Sequence, residues 1–171
     1  MPAGSTYECI ESKVLASSTT TVTFSSIPNT YTDLILIMQP SAGSPNGNAM
    51  RMRLNGNSES VYSATFLDGT GSSLVSARTG TIAQMDLGWR VGIDSSAINQ
   101  TYYMHFLNYK NTNTFKPILW SAGGVTQATD LVSGLWRKTD AINSISITIG
   151  MPSSTNFNSG STFTLYGIGA A

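Results

Sequence analysis

The chain has 171 residues, enough for one domain that buries most of its apolar surface without disulfide staples. Only 11% of its residues are charged, against roughly 25% in an average soluble protein, and nine basic side chains balance nine acidic ones. That balance removes the basic footprint of a nucleic-acid binder and the field that steers a protein to an anionic membrane.

The first six residues, Met1-Pro2-Ala3-Gly4-Ser5-Thr6, carry neither strand pattern nor the basic and apolar regions of a signal peptide. They read as a short arm, residues 1–6, ahead of one domain over residues 7–171, with synthesis in a cytoplasm. Residues 7–15 open a series of segments that alternate with period two, the mark of an all-β protein. Cys9 falls in this first segment as a small apolar residue; as the only cysteine it excludes an intrachain disulfide and a cysteine-based zinc site within one subunit.

Residues 21–24 put Val22 and Phe24 on one face and threonines on the other, and Ile27-Pro28-Asn29 ends that strand. Residues 34–38 are apolar at every position, which predicts a central strand covered on both faces or one whose outer face meets a partner. The same run is far short of the roughly 20 residues that span a bilayer, so a soluble protein is expected. Residues 41–48 are a loop; Met50, Met52 and Leu54 then alternate with Arg51 and Arg53 up to a turn at Asn55-Gly56.

Residues 62–66, 73–75 and 81–89 give weaker strand signals, broken by turns at Asp68-Gly69-Thr70-Gly71 and Thr79-Gly80. Residues 101–110 place Tyr103, His105, Leu107 and Tyr109 on one face and Tyr102, Met104 and Phe106 on the other. An Asn-rich link leads to residues 115–120 as in a hairpin, and residues 134–140 read as an exposed loop with Trp136 as an anchor. Residues 144–149 alternate three isoleucines with hydroxyls, and with the polar-apolar alternation of residues 163–168 they suggest a core pair of strands. About ten strands without a repeat or linker predict a single antiparallel β-sandwich, jelly-roll-like.

Catalytic signals are weak. His105 is the only histidine, so a Ser-His-Asp triad has no other choice and a multi-histidine metal site is excluded within one chain; its mid-strand aromatic setting favours a packed or interface residue. The acidic residues are scattered, and the residue 68–73 turn lacks the lysine of a phosphate loop and the repeated carboxylates of a calcium loop. No enzyme activity, metal or cofactor is expected. A hydrolase would instead be marked by two carboxylates brought together in a cleft.

A low-charge, hydroxyl-rich surface suits an extracellular or virion protein that packs against proteins or sugars. Trp89, Tyr102, Tyr103, His105, Trp120, Trp136 and Arg137 are the candidate partner-interface residues, because aromatics and Arg are enriched at interfaces. The tryptophans and tyrosines are also candidate sugar-stacking platforms, with core or subunit packing as the plainer reading.

Tyr7-Glu8-Cys9-Ile10-Glu11-Ser12, the pairing of Thr21-Val22-Thr23-Phe24-Ser25-Ser26-Ile27-Pro28 with Tyr31-Thr32-Asp33-Leu34, Arg53-Leu54-Asn55-Gly56-Asn57, Leu107-Asn108-Tyr109 and the closing Gly160-Ser161-Thr162-Phe163-Thr164-Leu165-Tyr166-Gly167-Ile168 together resemble small β-sandwich virion proteins of tailed bacteriophages. Similar proteins occur in phages of cyanobacteria and other aquatic bacteria, as capsid, decoration or tail-fibre components. The resemblance implies a structural protein at the virion surface. A chain that starts and ends in its sandwich reads as a stand-alone tile, which favours a cement or decoration protein on the head. Its expected partners are the major capsid protein and two further copies in a homotrimer, with no nucleic acid and no membrane. The alternative is a tail-fibre or receptor-binding module that recognises host-surface glycans.

Overall fold

The computed structural model describes residues 6–42, 49–88, 100–124, 128–151 and 155–169. Twelve strands run in chain order: β1 Tyr7–Val14, β2 Thr21–Phe24, β3 Asp33–Gln39, β4 Ala49–Leu54, β5 Tyr62–Gly69, β6 Leu74–Ile82, β7 Met85–Asp86, β8 Thr101–Phe106, β9 Lys116–Gly123, β10 Thr129–Trp136, β11 Ile145–Met151 and β12 Thr162–Ile168. Eight form one sheet in the order β1-β12-β3-β8-β9-β10-β5-β6, and four form a second in the order β2-β11-β4-β7. Every pairing is antiparallel. The result is a β-sandwich with no helix among the described residues; nothing in the eight-on-four strand order singles out a jelly roll. All of the proposed arm except Thr6 lies outside the described residues.

Alternation builds the core. Val22 and Phe24 of β2, Met50, Met52 and Leu54 of β4, and Ile145 and Ile147 of β11 point in from the small sheet, while the hydroxyl-bearing positions between them face out. From the large sheet come Leu34, Leu36 and Met38, Tyr102, Met104 and Phe106, and Phe163 and Leu165, joined with the first set in one cluster. β12 lies between β1 and β3, so the closing segment is a doubly paired inner strand. The suggested pairing of residues 144–149 with residues 163–168 does not form: β11 pairs with β2 and β4, and β12 belongs to the other sheet. Alternation identifies which face of a strand is buried and leaves its neighbours open.

The Asn55-Gly56 turn has both residues at positive φ, 53° and 65°, closed by Asn57 N–H donating to Leu54 O at 2.9 Å. It sends the chain from the small sheet to the large one, so it is not a hairpin. Asn55 Oδ1 accepts from Asn143 and Ser144 N–H at 2.8 and 3.2 Å, and its Nδ2 donates to Ala141 O at 2.8 Å. One side chain thereby ties the crossover to the segment leading into β11. The β8–β9 hairpin forms as expected. Its connection is held by Lys116, which is buried and whose ammonium donates to the carbonyls of Asn111, Thr114 (2.8 Å) and Thr139 (2.9 Å). Burial pushes this amine down from its usual pKa, with Asp140 opposing.

Gly134 on β10 makes room for the largest core side chain. A Cβ there would lie 2.6 Å from Trp120 Cζ3 and 2.7 Å from Met85 Sδ, inside contact distance of both sheets. Gly134→Ala is therefore expected to lower stability by about 1–3 kcal/mol through overpacking, whereas Gly80→Ala, into open space, leaves it nearly unchanged. The midpoint of urea unfolding measures both.

Candidate functional site

Three of the expected interface residues are core residues. Tyr102, Trp120 and Trp136 are each 1% exposed. Tyr102 shares its side of β8 with Met104 and Phe106, and Trp120 packs edge-on against Phe66 at 6.3 Å while its Nε1–H donates to Leu87 O at 3.1 Å. Trp136 stacks on Tyr62 at 6.4 Å. An aromatic ring offers the most apolar area per position, so the inward slots of a two-layer sandwich claim it. The loop expected at residues 134–140 is instead the end of β10 followed by a short connection, and Trp136 closes the strand. Arg137 follows it, half-buried, with its N–H donating to Val61 O at 2.9 Å. Trp89 lies outside the described residues.

Tyr103 and His105 do reach the outer face of the large sheet. Ile35 also points outward there, yet it is buried, flanked in register by Tyr166 on β12 and His105 on β8. His105 Nε2–H donates to Asp33 Oδ2 at 2.7 Å, and Asp33 Oδ1 accepts Asn108 N–H at 2.6 Å, which fixes the imidazole over the strand. Burial, then the neighbouring Tyr7 hydroxyl, raises the Tyr103 pKa; burial, then a hydrogen bond with Glu8, raises that of Tyr31. Tyr31 lies where a side chain at position 167 would stand, so Gly167 allows the ring to lie flat on β12. In this half of the outer face, over β1, β12, β3 and β8, Ile35 is covered by its neighbours, while Tyr7 and Tyr103 remain 53% and 40% exposed.

The other half, over β9, β10, β5 and β6, is open and apolar. Leu67, Leu74, Leu119 and Leu131 are 43%, 70%, 44% and 61% exposed. Leu67 and Leu131 are register partners, and together they line two adjoining hollows of about 460 and 390 Å³. Leu74, Gly69 and Ser121 border the first hollow; Leu119, Ser76 and Ser133 border the second. Of the outward positions on these four strands only Arg78 is charged.

The inward positions of the same strands hold the polar groups. Asp68 and Asp130, register partners on β5 and β10, are 0% and 2% exposed, and Lys116 is 1% exposed. The two carboxylates are thus register partners and buried, and Asp130 also borders the first hollow. Burial, reinforced by Asp130, pushes the nearby Tyr102 hydroxyl far above its usual pKa. The leucine face escaped the sequence reading because β5 and β10 each set a charged residue inward and a leucine outward next to it, Asp68 beside Leu67 and Asp130 beside Leu131. The outward leucines at alternate positions of β10, Leu131 and Leu135, were the available signal.

Comparison of the chain with protein-family models and with curated proteins found no match.

The two parities differ in what truncation does. Trp120→Ala or Trp136→Ala is expected to cost about 3–5 kcal/mol of stability, and Leu131→Ser to stay within about 0.5 kcal/mol. Chemical denaturation of the three variants checks this; equal losses would place the tryptophans and the leucine in equivalent environments.

Proposed function

We propose that this chain is a structural protein of a tailed-phage virion, a capsid cement or decoration protein that docks through the outer face of β9, β10, β5 and β6. The observation that carries the reading is the open leucine face, since a contiguous exposed apolar patch on a folded domain marks an interaction surface. The resemblance to small β-sandwich virion proteins supplies the partner: the major capsid protein where capsomers meet, with a homotrimer as the docking unit. Site occupancy stabilises the shell by mass action, on the order of 3–4 kcal/mol per site when free protein exceeds Kd by 100 to 1,000 fold.

The anchors differ from those expected of aromatic residues. Each of the four leucines is roughly half exposed, so covering it contributes on the order of 1 kcal/mol, and several must act together across at least about 1,000 Å². A glycan-binding module stacking sugars on Trp120 or Trp136 finds no support, because both rings are inside the core.

Immunogold labelling of intact particles with antibody to this protein tests the location. Label over the head is the expected result; label confined to the tail tip would replace cement with host recognition, and particles bare at both places with the epitope accessible would overturn the reading. The double substitution Leu67→Ser, Leu131→Ser is expected to weaken retention on particles about tenfold or more. Raising NaCl from about 0.1 to about 1 M releases little, because the contact is apolar. Full release by salt, or unchanged retention of the double variant, would remove the leucine face from the attachment.

A further inference from the structure

The outer face of the small sheet is polar and differently equipped. The registers set Thr23, Ser146 and Arg53 side by side in one row and Thr21, Thr148 and Arg51 in the next, across β2, β11 and β4. Arg51 is engaged: its Nε–H donates to Asp86 Oδ1 at 3.2 Å. Arg53 has no ion-pair partner among the described residues, and its Nε is shut off from solvent without a hydrogen-bond acceptor. It lines a hollow of about 290 Å³ together with Thr21, Gly56, Ser146 and Thr148. Gly56 brings no side chain to its edge, and a Cβ there would meet nothing within 4 Å.

The Nε is as closed to a ligand as it is to water, but neither terminal amino group of Arg53 is buried without a partner, and the two together can hold a planar carboxylate end-on through two parallel N–H bonds. The flanking hydroxyls add neutral groups that both donate and accept, the chemistry that matches sugar hydroxyls. Thr23 and Ser146 already bond each other at 3.0 Å and Thr148 reaches Arg51 O at 3.5 Å, so their oxygens are oriented and retain acceptor capacity. The volume is at the small end of small-molecule sites, more than a bare ion fills and about right for one sugar residue. We propose that this hollow binds an acidic sugar residue, with Arg53 holding its carboxylate and Thr21, Ser146 and Thr148 meeting its ring hydroxyls. The site is on the sheet opposite the leucine face and stands independently of the docking reading.

An NMR titration of the full chain with sodium glucuronate, glucose and sodium sulfate at matched ionic strength tests it. The expected result is amide shifts confined to residues around Thr21, Arg53, Gly56, Ser146 and Thr148 with glucuronate, weaker with sulfate and absent with glucose. Arg53→Gln is expected to weaken glucuronate binding at least about tenfold through loss of the charge-assisted bonds. Thr148→Val keeps the cation and is expected to weaken glucuronate while leaving sulfate unchanged. Glucose binding as well as glucuronate would overturn the role of the carboxylate. Shifts that Arg53→Gln does not alter in a folded variant, or no shifts with any of the three, would overturn the site.

Discussion

Trp120 occupies the space that Gly134 leaves, and much of the large sheet depends on that fit. The indole reaches across from β9, fills the inward slot of β10 and donates its N–H to Leu87 O beyond β7, so it touches both layers of the sandwich. A ring of this size can lie in only one direction without leaving a cavity that no neighbour could refill. With Trp120 inward, the period-two geometry of β9 sends Leu119 and Ser121 outward, and pairing with β10 and β8 carries the same parity to Leu131 and Tyr103. The composition of the outer face therefore follows from the packing of the core.

That outer face is divided. On β3 and its neighbours the outward Ile35 is closed over by Tyr166 on one side and by the His105–Asp33 bond on the other. Across the boundary at β9 the outward residues are mainly leucine, serine, threonine and glycine, and even the opposed pair Leu67 and Leu131 stays 43% and 61% exposed. The first half buries its outward Ile35, whereas the leucines of the second half stay open to water. Because the two halves belong to one continuous sheet, whatever covers the leucines is held in register with the rigid aromatic half.

Legibility in the sequence tracked how far each strand obeyed the simple pattern. β2 and β11 alternate apolar residues with hydroxyls, and both their existence and their buried faces could be read from residues such as Val22, Phe24 and Ile147, whereas β8 is apolar or aromatic on both faces and showed its two sides without showing which is buried. β10 could not be read, because Asp130 and Gly134 occupy inward slots and Leu131 faces out. Asp130 is admitted beside Asp68 through contacts local to that end of the sandwich, and Gly134 through the demands of Trp120, neither of which periodicity encodes. The same inversion hid the candidate site: ranking by aromatic content selected Tyr102, Trp120 and Trp136, the side chains a thin core has most need of, and passed over the leucines left outside. Pairing partners were equally invisible, as the separation of β11 from β12 shows.

Charge is used sparingly and mostly spent in place. Glu11 with Lys13, Asp86 with Arg51 and Glu59 with Lys138 form ion pairs, and Asp33 accepts a hydrogen bond from His105. Exposed pairs of this kind contribute little to stability, but they leave a surface with almost no long-range field, and a partner is then recognised by short-range fit. Against that background a guanidinium without an ion pair, such as Arg53, counts for more than it would on a highly charged protein. Arg53 borders a hollow on the small sheet together with the hydroxyls of Thr21, Ser146 and Thr148. The two faces of the sandwich thus differ in chemistry: the large sheet exposes leucines with Arg78 as the one charged outward residue of β5, β6, β9 and β10, and the small sheet sets Arg51 and Arg53 among neutral hydroxyls.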